Sequence, residues 1–341
     1  MLSDFLLQFK NEISFFNLFE YLTFKTAISA ITALIISFII GPITIKNLQQ
    51  YQIGEEIRSN GPESHLAKRG TPTMGGVIII LSTLLPTLLF SDLSNIMVLI
   101  IALSTLWMGV IGFIDDYLKI IIKAKDGMIA RYKMIGQILL GVIISYAIIN
   151  SNDFNGFNTK TTIPFFKNFE FDFGIFYPLL VIVVITATSN AVNLTDGLDG
   201  LAIGLLAICF TVFTAISYIS GRVDFSDYLN ILYLPKASEL SIFASAAVGA
   251  CLGFLWFNSS PAEIFMGDTG SLSLGAALGT MSILLKKELL LFIIGGVFVM
   301  ETLSVIIQVS FFRYTKYKYG EGKRFFKMAP IHHHFELSGM K

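Results

Sequence analysis

The sequence predicts an all-α polytopic membrane protein, and three observations carry that prediction. Hydrophobic residues make up 54% of the 341 and charged residues only 14%, where a soluble domain is about a quarter charged. The mean hydropathy is +0.71. Apolar runs recur at lengths close to the roughly 20 residues that carry a helix across a hydrocarbon core. Such runs must be helical, because lipid-exposed backbone has to satisfy its own hydrogen bonds. A formal net charge of zero with no separate basic domain gives no reason to expect a nucleic-acid partner. Cys209 and Cys251 lie inside apolar runs, which argues against a disulfide framework or a cysteine zinc site.

The first segment, 1–21, carries Asp4 and Glu12 and lacks a basic start, so no cleavable signal peptide is expected. Its Phe5, Leu6, Phe9, Ile13, Phe16 and Phe19 predict a helix lying at the membrane interface. Nine spanning helices follow, at 24–45, 74–90, 95–114, 133–149, 176–194, 201–219, 240–257, 271–285 and 289–312. Several are shorter than 20 residues, which tilt and mismatch accommodate. Loops after odd-numbered spans, with the tail from Arg313, hold two thirds of the 24 lysines and arginines. The positive-inside rule therefore puts those loops and the tail in the cytoplasm. On the other side, FFKNFEFDF (165–173) alternates apolar with polar around Lys167 and Asn168 and predicts a short extracytoplasmic hairpin.

Every unusual polar cluster falls after an odd-numbered span. GPESHLAKRGTPTMGG (61–76) is a tight loop that either presents backbone N–H groups, Thr73 and Lys68 to an anion or simply carries positive-inside charge. The third span runs into GFIDDYLK, where Asp115 and Asp116 repel one another unless a cation such as Mg²⁺ lies near. Pairing with Lys119, one helical turn on, is the alternative. In SNAVNLTDGLDGLA, Asn190, Asn193, Asp196 and Asp199 recur every third residue, an oxygen-rich set suited to a hard cation or a ribose, or else to capping and turns. FNSSPAEIFMGDTGSLSLG places Asp268 before an apolar helix, as a ligand or as its cap. Phe265 is placed to stack on a base or to pack in the core. His332, His333 and His334 in MAPIHHHFE would point three ways in a helix, whereas an extended stretch turns two of them to one side for phosphate or metal. Glu301, Ser304 and Gln308 share one face of the ninth span and predict a hydrogen-bonded seam rather than a proton path.

Together these motifs, in order over nearly the whole chain, resemble those of the phospho-N-acetylmuramoyl-pentapeptide transferase family. The aspartate motifs are shared with the wider polyprenyl-phosphate N-acetylhexosamine-1-phosphate transferases; TPTMGG and PIHHHFE favour the muramoyl-pentapeptide branch. The resemblance implies one transferase domain over 1–341, in the bacterial inner membrane with its active site on the cytoplasmic face. It implies exchange of UDP-N-acetylmuramoyl-pentapeptide with undecaprenyl phosphate to give lipid I and UMP, with Mg²⁺, and a homodimer is an expectation. By motif position Asp268 would coordinate Mg²⁺, and Asp115 and Asp116 would orient or deprotonate the lipid phosphate. Lys68, Thr73, Asn190, Asn193, Asp196, Asp199, Asn258 and Phe265 would serve substrate binding, with Phe265 stacking on uracil. Lys133 would neutralise phosphate charge, and His332 and His333 would contact phosphates or sugar. Family members have ten spans with both termini outside, so nine spans before Lys341 leave the tenth without a counterpart. A polyprenyl-phosphate N-acetylglucosamine-1-phosphate transferase is the near alternative. A cation-coupled secondary transporter is the distant one, and it would place its acids near the midplane on interrupted helices rather than at span ends.

Overall fold

The computed structural model describes residues 2–50, 70–124, 127–154, 156–166 and 169–339. Thirteen helices are found among them: α1 Leu2–Leu7, α2 Leu22–Gln50, α3 Gly76–Phe90, α4 Ile96–Ile120, α5 Ala130–Ile149, α6 Tyr177–Thr195, α7 Leu201–Ser220, α8 Val223–Leu229, α9 Leu240–Asn258, α10 Gly267–Leu284, α11 Leu291–Ile294, α12 Gly296–Tyr319 and α13 Ile331–Glu336. Each of the nine predicted spans has its helix. Seven are long and apolar enough to cross a membrane, and α3, at 15 residues, is a shorter apolar helix.

The remaining one, α10, is less apolar because it meets protein rather than lipid. All its residues from Thr269 to Leu284 are buried, and it packs against α3, α4, α6 and α7. Its sequence, GDTGSLSLGAALGTMSIL, is rich in Gly, Ala and Ser, which let helix backbones approach closely in a bilayer. Hydroxyls then stitch the neighbours. Ser104 and Thr280 pair at 2.7 Å, and Ser273 donates to the Thr105 carbonyl at 2.8 Å. From α6, Ser189 donates to the Leu272 carbonyl at 3.1 Å. The second inner helix, α9, is enclosed by α2, α3 and α7.

The starts of α3 and α10 approach closely. A Cβ on Gly76 would lie 2.0 Å from the Gly270 nitrogen, a backbone atom that cannot yield without moving a helix. Gly76→Ala is therefore expected to destabilise the protein by about 1–3 kcal/mol or more, as overpacking does. Gly204→Ala, where nothing lies within 4 Å, should be neutral or slightly stabilising, since Ala is the better helix former. Thermal unfolding of both variants in the same detergent checks the pair; equal midpoints would show that the α3–α10 crossing tolerates a methyl group.

Three expectations need correction. Residues 2–20 form not one interfacial helix but α1 and a 3₁₀ turn, Ser14–Glu20. They fold back so that Phe19 packs with Phe90 and Ile242, while Phe5, Phe9 and Ile13 stay exposed. The ninth span is broken at Gly295 between α11 and α12. The third continues past residue 114 to Ile120, carrying both aspartates on helix. A hairpin forms on this side, but its first strand lies ahead of the expected 165–173: β1 Lys160–Thr162 runs antiparallel to β2 Glu170–Asp172, with Lys167 and Asn168 outside the described residues. It is tied to the α10–α11 connection, where Lys286 is fully buried and donates to the Tyr177 hydroxyl at 2.7 Å and the Asn158 carbonyl at 3.0 Å. Burial pushes this ammonium below its ordinary value and the neighbouring Glu288 carboxyl above its own.

Candidate active site

Alternate helices bring the C-terminal ends of α4, α6 and α9 to one side of the bundle, with the N-terminal ends of α3, α5, α7 and α10. This is the side that the odd-numbered loops share. Its centre is three carboxylates, Asp115, Asp116 and Asp268, with oxygens all within 4.8 Å of one another. They belong to two helices far apart in sequence.

Adjacent residues on a helix diverge by about 100°, and the two aspartates of α4 accordingly do different work. Asp116 reaches the start of α10. Its Oδ1 accepts from the Asp268 N–H at 3.1 Å, and its Oδ2 accepts from the Thr269 N–H at 2.9 Å and the Thr269 hydroxyl at 2.6 Å. A carboxylate held against the orphan N–H groups of a helix start satisfies them and suits the helix dipole. The cap of α10 therefore comes from another helix. The N-cap residue, Met266, makes no side-chain capping bond, so the reading of Asp268 as a cap is corrected. Gly267, at φ +71°, leaves room for this contact; a Cβ there would meet Asp116 Oδ2 at 2.7 Å and Thr73 Oγ1 at 2.9 Å, which also fixes Thr73 beside the cluster.

Asp115 and Asp268 face each other across two ammonium groups. Lys133 lies 2.8 Å from Asp115 Oδ2 and 2.5 Å from Asp268 Oδ2. Lys119 lies 2.5 Å and 3.1 Å from the same two oxygens. The other oxygens are taken by amides: Met128 N–H donates to Asp115 Oδ1 at 2.6 Å, and Asn193 donates to Asp268 Oδ1 at 2.8 Å. Among the described residues, three carboxylates face two lysines, one formal negative charge in excess, in a place where burial makes uncompensated charge costly. Asp115 is fully buried, whereas the Asp268 side chain keeps 14% of its surface.

Beside the cluster lies a cleft of about 540 Å³ lined by Lys119, Lys133, Asn190 and Asn193 and, on its apolar side, by Met128, Ile129, Ala130 and Leu272. Asn190 also donates to Gln137 at 3.1 Å and to the Thr186 carbonyl at 2.8 Å, inside the helix packing. Asp196 is the C-cap of α6, so the three-residue spacing stays helical only as far as Thr195. Asp199 accepts from the Ala262 N–H at 3.3 Å. Asn258 is buried and joins two motif loops, accepting from the Gly200 N–H at 3.0 Å and donating to the Ile264 carbonyl at 2.8 Å. Phe265 is held by its backbone, which bonds to Pro72 and Gly75 at 2.9 Å each. Lys68 lies outside the described residues.

The histidine stretch is α13, a helix rather than an extended or looped stretch, yet the His332 and His333 rings still lie together with centroids 4.2 Å apart. His332 faces inward, its Nδ1 3.1 Å from Glu301 Oε2, and its Nε2 would lie 2.4 Å from a Cβ on Gly197. The tail thereby meets the loop after α6. His333 lies 3.3 Å from Glu336, and His334 accepts from the Lys327 N–H at 3.1 Å. The seam on α12 is the tail's anchorage: Gln308 Oε1 accepts from the N–H groups of Phe325 and Phe326 at 3.1 and 2.8 Å. Sequence reasoning treated Lys119 only as an intrahelical partner of Asp115 and Asp116, and it did not pick out Gln137. The i+4 spacing of Lys119 signalled one of its two ion pairs; nothing local signalled the other.

The comparisons with known proteins agree. The family profile described as Glycosyl transferase family 4 matches residues 98–286, and the one described as Phospho-N-acetylmuramoyl-pentapeptide-transferase signature 1 matches 68–80. The chain is 49% identical over 339 residues to the phospho-N-acetylmuramoyl-pentapeptide-transferase of Desulforapulum autotrophicum, covering 99% of this chain and 92% of that one. It is 49% identical over 320 residues to the protein of that name from Chloroherpeton thalassium, covering 94% and 87%. The protein of that name from Geobacter sp. (strain M21) is 50% identical over 329 residues, covering 95% and 88%.

Proposed function

Because the chain belongs to the phospho-N-acetylmuramoyl-pentapeptide-transferase family, we propose that it moves phospho-N-acetylmuramoyl-pentapeptide from UDP-N-acetylmuramoyl-pentapeptide to undecaprenyl phosphate, giving lipid I and UMP. An oxygen of the lipid phosphate bonds to the sugar-bearing phosphorus. The bond from that phosphorus to the UMP oxygen breaks, and its electron pair leaves with UMP. The observation that carries the reading is the convergence of Asp115, Asp116 and Asp268 with Lys119 and Lys133 at helix ends, where a lipid headgroup meets the soluble nucleotide.

Both reactants are anionic, so the site must neutralise charge and hold the phosphates in line. Lys119 and Lys133 present two ammonium groups to the cleft, and Asp115 sets where those groups stand. Asp116 fixes the start of α10 and with it the position of Asp268. The donor set is all oxygen and carries excess negative charge, which fits Mg²⁺; Asp268, the carboxylate with exposed surface, would hold it. Bound there, the metal supplies charge stabilisation for the diphosphate and the departing UMP. Asn193, which donates to Asp268, stands with Lys68, Asp196, Asp199, Asn258 and Phe265 on the uridine side in this reading, Thr73 binds substrate from beside the cluster, and His332 and His333 reach toward phosphate or sugar. The basic residues on the same side support a cytoplasmic-facing site, and membership of the family supports the bacterial inner membrane.

The test is UMP release by purified protein with Mg²⁺, with and without polyprenyl phosphate. Release only with the lipid is expected. Ion-driven uptake into liposomes without UMP release would identify a transporter, although these acids stand at helix ends rather than near mid-membrane. UDP-N-acetylglucosamine in place of the muramoyl nucleotide separates the two transferase readings. Phe265→Ala should raise the nucleotide KM roughly 5- to 150-fold, equivalent to about 1–3 kcal/mol of base stacking, with turnover at saturation little changed. An unchanged KM with collapsed turnover would remove Phe265 from the base pocket.

A further inference from the structure

We propose that the hairpin β1–β2 and the turn leading into α6 lie flat on the bilayer surface opposite the carboxylate cluster, with their phenylalanines set among the lipid headgroups as an interfacial anchor. The side is fixed by α10. Its first turn holds Asp268, and its 18 residues span roughly 27 Å before the connection that carries the hairpin.

The orientation follows from register. Thr161 pairs with Phe171, Lys160 with Asp172 and Thr162 with Glu170. Directly paired residues share a face of an antiparallel sheet. Thr161 is fully buried and donates to Glu288 in the α10–α11 connection, so its face looks down onto the bundle. Phe171 lies on that same face, and Phe169, two residues before it, follows by the period of a strand. The other face is polar and meets protein only at the β1 edge, where Thr162 donates to the Lys286 carbonyl at 2.7 Å; outward from there Lys160 meets Glu170 at 3.2 Å and Thr159 donates to Asp172 at 2.7 Å. A polar face away from the bundle and an aromatic face toward it is the pattern of an element lying at an interface.

The aromatic face reaches beyond the protein that could cover it. Phe171 is 50% exposed, Phe169 56%, Phe176 67% and Ile175 89%. Phe165 and Phe166, at the near end of the turn, are also exposed. Bilayer lipid is the occupant that the surroundings specify. Phe176 directly precedes Tyr177, the first residue of α6, and the exposed Leu179 and Val183 carry the apolar surface down that helix without a break. The hairpin thus continues a surface that faces lipid, at the level where the Phe and Leu side chains of an interfacial element sink into the headgroup–acyl boundary. Its height is fixed by the buried Lys286 and by Lys287, which donates to Thr162 at 3.0 Å.

The test uses the full chain in lipid nanodiscs, one protomer per disc, with Trp107→Phe and Trp256→Phe removing the two native indoles. A single tryptophan is then introduced by Phe171→Trp, by Phe176→Trp, or by Lys160→Trp on the polar face. The indoles at 171 and 176 should be quenched by phospholipids brominated near the headgroup, at least about twofold more than the indole at 160. Aqueous acrylamide should give the reverse order. Two variants on the apolar face guard against one that fails to fold. Acrylamide quenching at 171 and 176 equal to that at 160 would overturn the proposal. So would protection from both quenchers, since that would mean a protein surface covers the face.

Discussion

Replacing Asp268 with asparagine is expected to lower UMP release at least about 10²-fold, the low end for loss of a preorganised charge-stabilising group. The structure removes the main competing explanation. The orphan N–H groups at the start of α10 go to Asp116, and the Asp268 carboxylate instead accepts from Asn193, Lys119 and Lys133. An asparagine keeps the size and one acceptor oxygen for Asn193 but loses the charge that faces the lysines and, in the proposed function, Mg²⁺. Raising Mg²⁺ should recover part of the lost turnover, because a weakened site refills by mass action. The measurement is UMP release across a Mg²⁺ series, beside a thermal midpoint for the same preparation. Near-native turnover at low Mg²⁺ would leave Asp268 as an ion-pair partner with no role in the reaction.

The second large effect is expected at Asp116, and it should differ in kind. Asp116→Ala removes three bonds to a charged acceptor and strands two N–H groups at the buried start of α10. Hydrogen bonds to charged groups contribute about 1.5–3 kcal/mol each, and they do not add in full. A loss of roughly 3 kcal/mol or more of stability is expected, with turnover falling alongside because Asp268 moves with its helix. Asp116→Asn retains one acceptor oxygen and should lose less of both. Unfolding and UMP release measured on the two variants decide the matter. A base acting on the lipid phosphate would show collapsed turnover with full stability in both, and that result would sink the positioning role.

The expectation that Asp115 and Asp116 act on the lipid phosphate treated them as a pair, since they are adjacent and alike in sequence. Helical geometry separates them. Asp115 turns toward α5 and the lysines, Asp116 toward α10, and a difference of one position becomes a difference of partner. Lys133 shows the same limit: its charge suits a phosphate, but nothing local reveals its contacts with Asp115 and Asp268, which bridge 18 and 135 positions of chain.

What the sequence determined by itself was local. Transfer of an apolar helix from water to lipid depends on the composition of a window of about 20 residues, so eight of the nine spans announced themselves by hydropathy. The parity of their loops placed every polar motif on one side. α10 is the exception that explains the rule, since its surroundings are other helices and its small residues answer to packing rather than to lipid. The break at Gly295 and the backward fold of residues 2–20 were likewise decided by neighbours. Only the tertiary structure could make Asp116 the cap of a helix 152 positions away, set Lys119 between two aspartates, or lay His332 against Glu301 and Gly197. Those contacts are short-ranged in space and long-ranged in sequence, and no local pattern of residues encodes which distant partner a side chain will meet.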